Sequence, residues 1–194
     1  MVYCKKDQKA DIDISREGKK MKNAPAYVKV YSRLKNEINK GTYPVGGFLP
    51  KECELEKIYQ ALVCGKPVDN VGKYVDYLLK DGKTNTSRIV DKSVAGAKRA
   101  ELEYQILEKK EQEDGTVRSL VEIHLHTGRH HQIRVQFAAH GTPLMGDTKY
   151  GAPAAASVGR ARREPLALCA VRLSFLHPVT GKRMEFSTKP QFVL

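Results

Sequence analysis

The sequence predicts an α+β chain, and three stretches carry that reading. Val121, Ile123 and Leu125 alternate with Glu122, His124 and His126, the period of a strand with one buried face. Tyr27, Val30, Tyr31, Leu34 and Ile38 fall at helical spacing, with Lys35 and Lys40 towards the end and Gly41 placed to cap. Leu166 to Phe175 alternates again, turns at His177 to Gly181 and returns through Arg183 to Ser187, which makes an antiparallel hairpin.

Taken in order, residues 1–25 are polar and rich in lysine, and are expected to form a charged, flexible leader. Residues 26–58 are expected to form a helical fragment. Its first helix is followed by TYPVGGFLP, where Pro44, Gly46, Gly47 and Pro50 punctuate the chain. Pro50 suits the first turn of a second helix, Lys51 to about Ile58, because proline there forfeits no helical hydrogen bond.

Residues 59–194 form the remaining unit. Ala61 to Val63 is short and apolar, and Gly65, Lys66 and Pro67 signal a turn. Val71 to Arg88 is polar, with Tyr74, Tyr77 and Leu78 offering a small apolar face. Ala97 to Glu111 reads two ways: its composition favours helix, whereas Leu102, Tyr104 and Ile106 alternate as in a strand. Ala152 to Glu164, with Arg160, Arg162 and Arg163, reads as an exposed basic loop.

The 194 residues carry a net charge of +12 and a pI near 9.5, which point to a polyanionic partner. No apolar run approaches the roughly 20 residues that span a bilayer, so no membrane partner is expected. MVYCKKDQKADID lacks an apolar signal-peptide core, and cytoplasmic location is the default expectation. Cys4, Cys53, Cys64 and Cys169 are scattered without a CxxC pair, so neither a zinc site nor any other metal is expected.

The richest chemistry lies in TGRHHQIRVQ, Thr127 to Gln136. Thr127 and Gly128 break the strand period, a short helix is expected from His131, and Gly141 supplies its stop. Arg129, His130, His131, Gln132 and Arg134 crowd this turn, and such groups are costly to bury without partners. A polar ligand is the expectation, although Gln132 can equally serve a backbone carbonyl and His131 the turn. The adjacent histidines are expected to point different ways rather than converge on a metal.

TGRHHQIR followed by GTPLMGDTKYG resembles the signature of the RluA-type RNA pseudouridine synthases: TGR, a variable residue, HQ, an aliphatic residue, R, then a GD loop. Lys57, Tyr59, Ala61 and Val63 look like the family's KxYxAxV strand, and LALCAVRLSFLHPVTGKRMEFSTKP looks like its closing strands. The resemblance runs from about Lys57 to Phe192. It implies a mixed, largely antiparallel sheet with short helices. It also implies a strand through Ala97 to Glu111 and a hairpin around Glu113, Asp114 and Gly115.

The implied activity is uridine-to-pseudouridine isomerisation in rRNA or tRNA, without metal or organic cofactor. By position, Arg134 matches the arginine that pairs with the family's essential aspartate, and Tyr59 the tyrosine that packs on the target base. Arg129, His131, Gln132 and Lys149 fall where contacts to RNA are expected. The aspartate's own motif, RLDxxTSG, has no counterpart before Tyr59, so the chain is expected to be inactive or impaired. An arginine that has lost its carboxylate must be solvated or find another, because an unpaired buried charge costs about 3 to 5 kcal/mol.

AYVKVYSRLKNEINKGTYPVGGFLPKECELEKIY resembles the opening of GntR-type winged-helix regulators: a helix, a GxYPxG turn and an LPxExELxxxY helix. That resemblance implies DNA as an alternative partner. No recognition helix follows, since the chain continues QALVCGKPVDNVGK. ELEKIYQ satisfies both patterns, and a junction is expected near Lys57 to Tyr59. A non-catalytic RNA-binding remnant is a further reading, supported by the charge and the retained turn.

Overall fold

The computed structural model describes residues 32, 35–36, 39–41, 55–151, 165–177 and 180–194. Those residues form a seven-stranded sheet in the order β3-β2-β4-β5-β1-β6-β7 with one short helix against it. The strands are β1 (Glu56–Cys64), β2 (Val71–Asp81), β3 (Thr86–Ile89), β4 (Lys98–Glu111), β5 (Val117–Leu125), β6 (Leu168–Leu176) and β7 (Arg183–Ser187). The helix, α1, is Gln132–Ala139.

Each strand pairing is antiparallel, so among the described residues the sheet is antiparallel rather than mixed. The ambiguous stretch from Ala97 is strand, not helix. Its alternation is enforced by β5, which places Leu102, Tyr104 and Ile106 opposite Leu125, Ile123 and Val121. Gly115, at φ 76°, turns the chain between β4 and β5, as the hairpin requires.

The main core lies on one face of the sheet. Ala61 and Val63 of β1, Val121 and Ile123 of β5, and Leu102 and Tyr104 of β4 meet Ile133 and Phe137 of α1 there. Tyr74 of β2 joins them, its ring edge-on to Phe137 at 5.3 Å between centroids. The segment after α1 is sewn to β1. Cys64 N donates to Pro143 O, Met145 N donates to Leu62 O, and Val63 bridges to Leu144. This strap carries the GD loop back beneath α1.

A further expectation needs correction. The second helix does not reach Ile58: Glu56 to Ile58 open β1, where Glu56, Lys57 and Ile58 face Ser174, Leu173 and Arg172 of β6. Sheet pairing on both sides of β1 overrides the weak helical preference of so short a run. The polar stretch from Val71 to Arg88 is a long hairpin, β2 and β3, at which the small apolar face only hints.

Ser32, Lys35, Asn36 and Asn39 are helical, Lys40 N donates to Asn36 O, and Gly41 takes φ 72°, in keeping with the helix expected to end there. The expected leader, the TYPVGGFLP turn, the start of the second helix and the arginines of the 152–164 loop lie outside the described residues.

Candidate RNA-binding and active site

The turn between β5 and α1 is built by its own side chains. Thr127 Oγ1 accepts from Glu101 N at 2.8 Å and donates to Gln132 Oε1 at 2.8 Å, and the same Oε1 accepts from Arg129 N at 2.9 Å. Gln132 Nε2 donates to Glu101 O at 3.1 Å. Gln132 is 3% exposed and its amide is engaged by the turn, so it turns inward from the surface at which its RNA contact is expected. Of the two roles the sequence leaves open, the structure uses the backbone carbonyl.

His131 is the residue before α1 and sits in the left-handed region, at φ 53°. That conformation swings its ring beside the ring of His130, with centroids 3.8 Å apart. The expected divergence assumes helical geometry at both positions, and the left-handed residue overturns it. Their ring nitrogens do separate. His130 Nδ1 lies 2.9 Å from the Ser87 hydroxyl of β3, and His131 Nδ1 lies 2.9 Å from the Tyr150 hydroxyl. Tyr150 also accepts from Ser87 N at 2.8 Å, which ties the GD loop to the β2–β3 hairpin. Burial, followed by the charges of Lys80, Lys149 and Arg134, holds His130 below its ordinary pKa. Burial and then His130 do the same to His131.

Arg134 faces the GD loop from the first turn of α1. Its Nε donates to Asp147 Oδ2 at 2.8 Å and its Nη2 to Oδ1 at 2.7 Å, a planar two-point grip. Oδ1 also accepts from Lys149 N and Tyr150 N, both at 2.9 Å. The Asp147 side chain has 0% exposure and that of Arg134 17%. Burial by itself would raise the Asp147 pKa, but Arg134 and the two amides outweigh it and hold the carboxyl below its ordinary value. The Asp147 hydrogen bond in turn raises the Arg134 pKa. Of the two outcomes open to it, solvation or another carboxylate, the arginine takes the carboxylate.

Tyr59 lies on β1 beside a register shift against β6, where Ile58 faces Arg172 but Tyr59 faces Ala170. Its side chain packs on the core cluster that Ile133 and Phe137 of α1 enter. Arg129 is exposed and its Nε donates to Arg99 O at 2.9 Å. Lys149 Nζ donates to Asn85 O at 2.9 Å, another link between the GD loop and the hairpin. The structure thus gathers Arg129, His131, Gln132, Arg134 and Lys149 around one turn. Sequence reasoning misses Tyr150, although it stands in the GDTKYG stretch. Its guanidinium neighbour Arg134 lies 5.1 Å from its ring centroid. Among the described residues, no group of three or more His, Cys, Asp or Glu is placed to hold a metal ion.

The fold is that of known pseudouridine synthases. The structure of human RNA pseudouridylate synthase domain containing 1 superposes with a TM-score of 0.59 at 26% identity, covering 73% of this chain and 57% of that one. Residues 29–139 match the family model described as RNA pseudouridylate synthase. The chain belongs to the RNA pseudouridylate synthase family. The match opens upstream of Lys57, where the motif resemblance begins, and so includes most of the stretch expected to be winged-helix-like.

Among curated relatives, the dual-specificity RNA pseudouridine synthase RluA of Haemophilus influenzae is 32% identical over 142 residues, 73% of this chain. The ribosomal large subunit pseudouridine synthase D of Zymomonas mobilis is 30% identical over 138 residues, 70% of this chain. The chain spans 60% and 41% of the lengths of these two relatives.

Proposed function

We propose that this chain holds RNA at the TGRHHQIR turn, as part of a uridine-isomerising architecture, without isomerising uridine by itself. The observation that carries the reading is the state of Asp147. A carboxylate that attacks or deprotonates a nucleotide needs an oxygen free to approach it. Asp147 has 0% side-chain exposure and both of its oxygens are engaged by Arg134, with two backbone amides added to Oδ1. The RLDxxTSG motif that the family resemblance implies for the catalytic aspartate is absent from the sequence.

In this reading Arg134 and Tyr59 keep the positions of an active-site arginine and tyrosine, while Arg129, His131 and Lys149 form the RNA-facing rim. RNA is supported as partner by the charge of +12 and by the family. The relatives are named for RNA and, in the Zymomonas mobilis protein, for the ribosomal large subunit, and the ligand is drawn from that class. DNA binding through a winged-helix fragment over 26–58 draws its support from the motif resemblance alone.

A competition assay tests the partner. Labelled uridine-rich stem-loop RNA bound to the purified chain should be displaced by unlabelled RNA at much lower concentration than by duplex DNA of equal length. Equal displacement by duplex DNA would overturn the RNA reading.

A further inference from the structure

A groove runs along the β2–β3 hairpin beside the TGRHH turn. Its inner part, about 390 Å³, is walled by Lys80, Lys98, Ser87, Arg129 and His130 over Leu78 and Leu79. An outer part of about 480 Å³ at the hairpin turn is lined by Leu79, Asp81, Lys83 and Arg88; Arg88 stands opposite Leu79, on the other face of the hairpin from Lys80 and Ser87.

The register explains why cations gather there. Lys80 stands opposite Ser87 on β3, and Lys98 opposite Leu78 on β2. Alternation along β2 puts Lys80 on the same face as Leu78, so both lysines flank the contact between Ser87 and His130. The carboxylate in the outer part, Asp81, is engaged by its own turn, accepting from Lys83 N at 2.8 Å and Thr84 N at 3.4 Å.

Several cations elsewhere on the sheet are matched to carboxylates: Lys73 and Arg99 to Glu101, Arg172 to Glu185, Arg183 to Glu56. Among the described residues, Lys80, Lys98 and Arg129 have no such partner. Unmatched charges of one sign in a concave surface focus positive potential. One compact cluster would satisfy a single phosphate. Three cations spread over β2, β4 and the TGRHH turn around one hollow, with no carboxylate matched to them, fit an anion that repeats.

We propose that this groove is a track for the phosphodiester backbone of the RNA strand flanking the nucleotide at Arg134, gripped by Lys80, Lys98 and Arg129. The proposal rests on the reading of the chain as an RNA-binding protein.

The test compares the full chain with the double variants Lys80→Ala/Lys98→Ala and Lys182→Ala/Lys189→Ala. The second pair removes the same charge from exposed positions beside and beyond β7, at the opposite edge of the sheet. Binding of a uridine-rich stem-loop RNA is measured by fluorescence anisotropy across a salt series, with circular dichroism melts to confirm folding. The groove variant should bind more weakly, its log K against log salt slope flatter by about 0.7 for each single-strand phosphate it no longer neutralises. The distal variant should stay close to wild type.

Equal weakening in both variants, or an unchanged slope in the groove variant, would overturn the groove while leaving RNA binding intact. No RNA binding by the wild-type chain would instead remove the underlying reading, and the groove with it. Duplex DNA bound as tightly as RNA, with the same dependence on Lys80 and Lys98, would overturn the commitment to RNA.

Discussion

Arg134 of α1 and Asp147 of the following loop are joined by two hydrogen bonds of 2.8 and 2.7 Å, and the aspartate side chain is wholly enclosed. The pair clamps the GD loop beneath the helix. Asp147→Ala leaves the guanidinium and two backbone amides without their acceptor, and should cost about 3 to 5 kcal/mol. Urea unfolding followed by circular dichroism measures it. A destabilisation under about 1 kcal/mol, the range of an exposed ion pair, would contradict the clamp.

The same turn makes stability depend on acid. His130 and His131 have folded pKa values below their ordinary one, so the unfolded chain takes up protons first as pH falls. Their contribution is full above about pH 6.5 and is lost as pH drops from there towards the folded values. Asp147, also lowered, keeps its contribution until pH falls below about 4, and loses it through its folded pKa. Melting temperature against pH should therefore fall in two stages on acidification. In the double variant His130→Gln/His131→Gln the upper stage should be missing.

Gln132 and Arg129 should separate structure from binding. Gln132→Leu strands Arg129 N inside the turn, at roughly 1 to 3 kcal/mol for a group left unsatisfied, while Glu101 O keeps His126 N and Thr127 N. Arg129→Ala removes an exposed side chain, and should weaken RNA binding while leaving the melt nearly unchanged. Denaturation and RNA anisotropy on the two variants give the comparison. A stable Gln132→Leu with impaired RNA binding would reverse the assignment.

Gly72 is required by packing across the sheet. It lies opposite Tyr104, and an added Cβ would overlap the Tyr104 hydroxyl and ring. Tyr104 is 3% exposed and held between Tyr74 and Phe137, so it has little room to yield. Gly72→Ala should destabilise by about 1 to 3 kcal/mol, the cost of overpacking, as read by urea unfolding.

The strands that show in the sequence are those whose buried face is uniformly apolar. β5 presents Val121, Ile123 and Leu125, and β4 presents Leu102, Tyr104 and Ile106, so alternation is visible in both. β2 hides its period because the residue between Tyr74 and Leu78 on that face is Asp76. Its carboxylate is satisfied only by tertiary partners, Gln136 Nε2 at 2.7 Å and His140 Nε2 at 3.2 Å, which no local pattern announces. Glu56 to Ile58 read as helix because propensity is local, whereas their pairing with β6 spans more than a hundred residues of sequence.

The site is legible in kind but not in detail. That Arg134 must be solvated or find another carboxylate follows from the cost of burying it alone, and Asp147 stands in a recognisable loop. The enclosure of Gln132 is not legible, since an amide beside arginines and histidines has the same composition whether it faces ligand or turn. The stacking of His130 on His131 depends on a left-handed residue that a non-glycine sequence does not signal.

Tritium release from RNA carrying 5-tritiated uridine tests the central claim most directly, because rejoining the base through C5 expels that hydrogen. The purified chain in excess over RNA is followed beside an active synthase and an Arg134→Ala variant. The account predicts no release above background from the wild-type chain under conditions where RNA is bound and the fold melts cooperatively. Release by the wild-type chain that Arg134→Ala abolishes would contradict it, and would mean that a carboxylate within this chain performs the chemistry.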